Sequence, residues 1–222
     1  MHRLEIISTT LEDAIAAEAG GAQSVEIIAE RSLGGLTPSE ALVRAVRAAI
    51  KIDINVIIRP HARSFVYTAD ERKMILTDTE TMVNAGATGI VFGALNADSS
   101  VDLDFVRQVG KVAAPVRTTL HRAIDECSQP EAALIALQGV VQRVLTSGGA
   151  PDVWAGRETI RDWVHKYGEV YTFACGGGVV KETLKDLAYY THAPEYHTGN
   201  AVRTNDRVDP VKVRAFYDLI NG

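Results

Sequence analysis

Eight short β-rich runs alternate with longer amphipathic runs along this 222-residue chain, and this alternation limits the fold more than any other feature. The predicted strands are Arg3–Ile7, Ser24–Ile28, Ile54–Arg59, Thr88–Phe92, Val116–His121, Gln142–Thr146, Val170–Ala174 and Glu195–Thr198. Strands that alternate with helical patterns indicate βαβ units and a parallel sheet. Eight such units in a chain of this length predict a small, compact TIM-type (β/α)8 barrel of the α/β class.

A doubly wound open sheet shows the same alternation. We favour the barrel because polar residues recur at many strand ends rather than at one switch point. The predicted helices are Thr9–Ala19, a helix that follows the cap Thr37-Pro38-Ser39-Glu40 and runs to Ile50, Asp70–Ala85, Asp102–Val112, Pro130–Gln138, Trp154–Tyr167, Val179–Tyr190 and Pro210–Ile220. No Pro/Gly/Ser-rich linker or charge block divides the chain, so residues 1–222 are predicted to form a single domain.

Net charge, apolar runs and cysteine count disfavour several classes of function. The net charge is −5 and no basic cluster stands out, which argues against sequence-independent binding to nucleic acid. No apolar run approaches the roughly 20 residues of a membrane span. The N-terminus has no signal-peptide core, and the two cysteines, Cys127 and Cys175, do not make a disulfide framework. We therefore expect a reduced, cytoplasmic protein.

Charged side chains interrupt apolar strands near their carboxyl ends. Strand side chains alternate in direction, so if Leu4 and Ile6 face the helices, Glu5 points into the barrel. The same alternation directs Glu26 inward between Val25 and Ile27. The candidate cavity residues at the barrel mouth, where such barrels carry their active sites, are Glu5, Glu26, Arg59, His121 and His197.

The chemistry of this set stays open at the level of sequence. Carboxylates and imidazoles serve in general acid–base catalysis, and they also bind divalent metals. A purely structural role is the other interpretation, because buried charges need partners and Arg59 or Arg117 could neutralise Glu5, Glu26 or Glu195.

Two glycine-containing loops follow the last two strands, in "ACGGGVV" and "HTGNAVR". TIM-type barrels often bind phosphate there through backbone N–H groups. The candidate anion-binding residues are Gly176, Gly177, Gly178, Ser147 and Gly199. The alternative is that the glycines only permit tight turns and that Ser147 caps a turn.

Some chemistries are disfavoured. The seven lysines all fall in predicted helices or their flanks, so a Schiff-base aldolase is not expected. No nucleophile elbow and no P-loop occurs.

The chain resembles the CutC family across nearly its whole length. The matching stretches, in order, are "LEII" at 4–7, "VEII" at 25–28, "GGLTPS" at 34–39, "IIRP" at 57–60, "FVYT" at 65–68, "GIVFGAL" at 89–95, "LHRAIDE" at 120–126, "RVLTSGG" at 143–149, "GGGV" at 176–179 and "YHTGNA" at 196–201. The resemblance implies a TIM-barrel-like fold, a cytoplasmic location, a role in copper homeostasis and a homo-oligomer, most simply a dimer.

The cysteine pattern departs from that of family members proposed to bind copper, which carry cysteines at the ends of the first two strands. The corresponding positions here are Ile7, Ser8 and Ile28. Copper(I) prefers thiolate and thioether ligands. A copper site would therefore use Cys127 and Cys175 with His121 or His197, and the alternative is that both cysteines are small buried hydrophobes.

Two functions follow from these observations. One is a copper-binding protein of the CutC type. The other is a barrel enzyme of the isomerase, epimerase or lyase type, which acts on a small anionic or phosphorylated molecule.

Overall fold

The computed structural model describes residues 1–222 and confirms the predicted barrel. Eight parallel strands pair in sequence order, and β8 closes the sheet onto β1. They are β1 Arg3–Ser8, β2 Ser24–Ile27, β3 Asp53–Ile57, β4 Gly89–Phe92, β5 Arg117–Leu120, β6 Arg143–Thr146, β7 Thr172–Cys175 and β8 Glu195–Thr198. Each predicted strand corresponds to one of these eight, so the open doubly wound sheet is excluded.

Eight helices pack around the barrel. They are α1 Leu11–Gly20, α2 Glu40–Ala49, α3 Ala69–Asn84, α4 Leu103–Ala113, α5 Pro130–Ala136, α6 Arg157–Tyr167, α7 Lys181–Thr191 and α8 Pro210–Asn221. Ser39 caps α2, so the helix begins two residues later than a cap at Thr37 with Pro38 in the first turn would place it. Thr68 and Glu71 form a capping box at α3. A short hairpin, β9 Arg203–Thr204 with β10 Arg207–Val208, precedes α8.

Three boundaries differ from the sequence prediction, and two of them place residues of the barrel mouth. Helix α6 begins at Arg157 rather than at Trp154, because residues 152–156 form turns and the Asp152 carboxylate accepts the Ala155 N–H. Strands β3 and β5 end before Arg59 and His121. Both side chains therefore project from loops at the barrel mouth.

The apolar core lies between the barrel and its helices. Leu4 and Ile6 of β1 and Val25 and Ile27 of β2 are fully buried in it. The alternate positions on these strands face the barrel interior, where polar side chains collect. None of the helices combines the length and the apolar character required to cross a membrane.

Candidate functional site

Arg143 on β6 forms the centre of a charged layer inside the barrel. Its side chain is completely buried, with Nη2 2.6 Å from Glu5 Oε1 and Nε 2.6 Å from Glu195 Oε2. Arg117 Nη1 lies 3.2 Å from Glu195 Oε1. An internal ion-pair layer therefore exists, with Arg143 as its central cation and with Arg117 rather than Arg59 beside it.

Glu5 is the most heavily bonded carboxylate of this layer. It accepts hydrogen bonds from Arg143, from the Asn55 amide and from His197 Nδ1, which lies 2.8 Å from Oε1. Burial alone would raise the pKa of Glu5, but the charge of Arg143 and the hydrogen bonds hold it well below the usual 4.5. Glu5 is thus a fixed negative charge beneath His197.

His197 connects this layer to Glu26. Strands β2 and β8 both neighbour β1, and Glu5 and His197 are register partners, so parallel pairing brings the three side chains together. His197 Nε2 lies 3.6 Å from Glu26 Oε2. Because Nδ1 is hydrogen-bonded to an ionised carboxylate, it carries a proton and directs Nε2 toward Glu26.

The two groups shift each other's proton affinity. Burial raises the pKa of Glu26, and the negative charge of Glu5 adds to the rise against the opposing charge of His197. Burial by itself would lower the pKa of His197, but Glu26 and Glu5 raise it above 6.5. The pair therefore retains a proton at a pH where an isolated carboxyl group would have released its own.

A cavity of about 700 Å³ opens above this pair at the carboxyl ends of the strands. Glu26 and His197 line it, with Arg59 and His121. Its apolar lining includes Ile7, Ile28, Ile57, Phe65 and Leu145. A concave surface that combines apolar walls with charged side chains is suited to a small polar molecule.

Arg59 and His121 stand on the loops after β3 and β5. The Arg59 guanidinium lies 4.8 Å from the centre of the Phe65 ring, and Nη1 lies 3.2 Å from the carbonyl oxygen of Leu33. The Phe65 and His121 rings pack with their centres 4.7 Å apart. Burial and the charge of Arg59 lower the pKa of His121 to about 3, so this imidazole is neutral.

The loop after β7 contributes free backbone donors to the rim. Gly177 and Gly178 have φ values of +87° and +84°, a conformation that favours glycine. The N–H groups of Gly177, Gly178 and Val179 donate to no other protein group, and helix α7 begins just beyond them. The Arg122 guanidinium lies against Gly177. Backbone N–H groups, a helix N-terminus and a cation here face one side of the cavity.

The predicted anion-binding residues divide into two groups. Gly177, Gly178 and Gly199 line the cavity. The Gly176 N–H instead bonds to the Thr146 carbonyl, and a side chain at Gly176 would collide with Leu145. Ser147 is fully buried, with its hydroxyl 3.0 Å from Asp125 Oδ2.

The cysteines lie away from the cavity. Cys175 is buried in the apolar core with Sγ 3.9 Å from Thr191 Oγ1 of α7, and burial raises its thiol pKa to about 12. Cys127 is half-buried and accepts the Gln129 N–H. No group of three or more His, Cys, Asp or Glu side chains is arranged to hold a metal ion.

Sequence reasoning missed several polar residues of the barrel interior and its mouth. Arg143 occupies the first position of β6, and the buried outward Val144 beside it is the signal that directs Arg143 inward. Asn55 alternates with Ile54 and Val56 in the same way. Asp125 had no periodic signal, because it lies in a short 3₁₀ helix.

A closed parallel barrel with a polar cavity at its carboxyl end defines a TIM-type (β/α)8 barrel protein. The model of the CutC family matches residues 2–202, and the chain therefore belongs to the CutC family.

Curated relatives agree with this assignment. A CutC family protein of Parabacteroides distasonis is 36% identical over 197 residues, which are 88% of this chain and 81% of the relative. One from Xanthomonas campestris pv. campestris (strain B100) is 37% identical, over 87% of this chain and 81% of the relative.

Solved structures show the same fold. The CutC protein of Streptococcus agalactiae, described provisionally as a copper homeostasis protein, superposes with a TM-score of 0.85 at 21% identity and covers 91% of this chain and all of that one. Phosphoribosyl anthranilate isomerase of Thermotoga maritima has a TM-score of 0.68 at 14% identity, with both chains fully covered.

Proposed function

We propose that the chain is an enzyme that binds a small anionic molecule in the mouth cavity and moves a proton with Glu26 and His197. One observation carries this proposal: a carboxyl group and an imidazole, both buried and 3.6 Å apart, line a cavity that Arg59 and Arg122 also line. Isomerisation, epimerisation and lyase reactions all use this kind of proton transfer.

The acid–base role follows from the shifted pKa values. A general base is most effective when its pKa lies near the working pH, and the raised pKa of Glu26 moves it in that direction. Glu5 and Arg143 lie behind His197 and fix its orientation, as a carboxylate does for a catalytic imidazole. The charged layer thus positions the reacting groups and is not itself in contact with the cavity.

The anion would bind across the cavity from β3. The free N–H groups of Gly177, Gly178 and Val179 supply donors, and Arg122, which lies against Gly177 and also pairs with Asp125 at 2.9 Å, supplies positive charge. Donors of this kind bind phosphate or carboxylate groups. A group held there leaves the remainder of a small molecule within the volume above Glu26.

Copper is the ligand that the description of the Streptococcus agalactiae relative suggests, but a copper ion fits these residues poorly. Copper(I) prefers thiolates. The Cys175 thiol faces the core with a pKa of about 12, and Cys127 is engaged with a backbone N–H outside the cavity. The cavity lining holds no thiolate or thioether, the ligands that copper(I) prefers, so we assign no step to copper.

The test is incorporation of solvent deuterium into a panel of phosphorylated hydroxycarbonyl compounds, followed by mass spectrometry. Wild-type protein should exchange a carbon-bound proton of at least one compound. Glu26→Gln should slow that exchange about a hundredfold or more, as loss of a general base does.

Glu126→Gln is the matched control, since Glu126 lines the same cavity but is exposed at its rim. This variant should exchange at the wild-type rate. Equal exchange in wild type and Glu26→Gln, or no exchange with any compound of the panel, would contradict the proposal.

A further inference from the structure

The His121 imidazole is held in one tautomer by the backbone of its own loop. Its Nδ1 lies 3.2 Å from the backbone nitrogen of Ala123, whose N–H it accepts. A ring nitrogen that accepts a hydrogen bond carries no proton, so in the neutral imidazole the proton is on Nε2. The neutral form is enforced by burial and by the nearby Arg59 charge.

The Nε2–H donor of His121 has no partner in the protein. It is buried, and the imidazole that carries it lines the mouth cavity and packs against the Phe65 ring. Buried donors are almost always hydrogen-bonded, and an orphan at a cavity is explained by a group that arrives from outside.

The strand order of the barrel places the His121 Nε2–H donor and the Glu26–His197 pair at the same cavity. His121 follows β5, whereas Glu26 and His197 lie on β2 and β8, so the donor and the acid–base pair reach the same cavity from different strands. Arg59, near His121, adds positive charge on the donor's side. A negative oxygen is stabilised where a fixed N–H donor and a cation meet in a water-poor site.

We propose that His121 donates its Nε2–H to the carbonyl oxygen of the substrate, and that the substrate class is a phosphorylated or carboxylated carbonyl compound with a proton on the carbon next to the carbonyl. This inference rests on the proposed function. It identifies the substrate group on which the acid–base pair acts.

The step balances without any co-reactant. The Glu26 carboxylate removes the proton from the carbon beside the carbonyl, the C–H electron pair becomes a carbon–carbon double bond, and the carbonyl π pair moves to oxygen. The resulting enolate oxygen accepts the hydrogen bond from His121. For isomerisation, the carbon that lost the proton also bears a hydroxyl group. Glu26 then delivers the proton to the former carbonyl carbon, and the hydroxyl proton passes to the former carbonyl oxygen, so that the carbonyl and hydroxyl groups exchange places.

Calorimetry with two probes tests this assignment. Inorganic phosphate reports the anion subsite alone, and phosphoglycolohydroxamate carries a phosphate together with an enediolate-like group. In His121→Phe the affinity for the hydroxamate should fall about tenfold or more, the loss expected for one hydrogen bond to a charged oxygen, while phosphate affinity changes less than twofold. His121→Gln, which keeps an N–H donor, should retain part of the affinity.

His61→Phe is the matched control, because His61 lies on the loop after β3 but does not line the cavity. It should leave both affinities unchanged. If His121→Phe weakens both probes equally or neither, the inference is overturned while the proposed function stands. If phosphate does not bind wild-type protein, the proposed function fails and the inference fails with it.

Nitrogen-15 NMR of the wild-type protein measures the tautomer of His121 directly, so this test needs no variant that folds. His121 should give the pattern of a neutral Nε2–H tautomer from weakly acidic to neutral pH. An Nδ1–H tautomer, or an imidazolium at neutral pH, would overturn the assignment.

Discussion

Replacement of Arg143 by methionine should strongly destabilise the folded protein. Arg143 is fully buried between Glu5 and Glu195, each about 1% exposed. Glu195 keeps Arg117, but Glu5 loses its only guanidinium partner. Removing one member of a buried ion pair costs about 3–5 kcal/mol, because an uncompensated charge remains in the interior.

This free energy corresponds to a fall in Tm of roughly 6–20 °C for a domain of this size. Urea unfolding at neutral pH measures it directly. Arg117→Met is the matched control: Arg117 contacts the same Glu195 but is 27% exposed, so its loss should cost only about 1 kcal/mol. Adding Glu5→Gln to Arg143→Met should restore part of the stability, since the buried charge is then gone.

The pH dependence has a defined sign. In wild type the pKa of Glu5 in the folded state lies below the ordinary 4.5, so its contribution is present above that pH and is lost as the pH falls through the folded pKa. Without Arg143, burial dominates and should raise the pKa of Glu5 in the folded state above 4.5. The variant therefore loses stability as the pH rises. The difference between the two proteins should therefore be largest near neutral pH and shrink below about pH 4.5.

A loss below about 1 kcal/mol, or a difference in unfolding free energy that does not change with pH, would refute this reasoning.

Two further predictions concern backbone and thiols. Gly139→Ala and Gly148→Ala both force alanine into a left-handed backbone, with φ of +75° and +74°. The space beside Gly139 is open, so Gly139→Ala should lower the free energy of unfolding by about 1–2 kcal/mol. An alanine Cβ at position 148 would meet the Gly156 carbonyl oxygen at 2.3 Å, so Gly148→Ala should lower it clearly more in urea unfolding. Equal decreases for the two variants would contradict the packing around Gly148. A thiol titration with Ellman's reagent should detect only Cys127 in the native protein and both cysteines after denaturation, since Cys175 is inaccessible; two reactive native thiols would contradict its burial.

The barrel could be predicted because strand alternation is a local property of the sequence. A period of two, set by Leu4 and Ile6, is enough to turn Glu5 inward, and the same rule turns Glu26 inward. The partner of Glu5 could not be chosen in this way. Arg143 is 138 residues away, and only closure of the barrel brings it within 2.6 Å.

Loop conformation was the other part that the sequence left open. His121 was predicted as the end of a strand, but it follows β5 and its ring is fixed by the N–H of Ala123 in the next turn. Ser147 looked like a free donor, yet Asp125 from another loop accepts its hydroxyl. Such contacts depend on where two loops meet, which carries no periodic signal in the chain.

The most direct measurement is an NMR titration of the histidine side chains against pH, with and without 2-phosphoglycolate. In the free protein, His197 should titrate above its usual pKa of 6.5. Addition of the anion should shift the His197 and His121 signals and leave those of the exposed His165 and His192 in place. If the anion leaves His197 unaffected, or if His197 titrates below 6.5, the buried Glu26–His197 pair is not the acid–base centre of an anion-binding cavity.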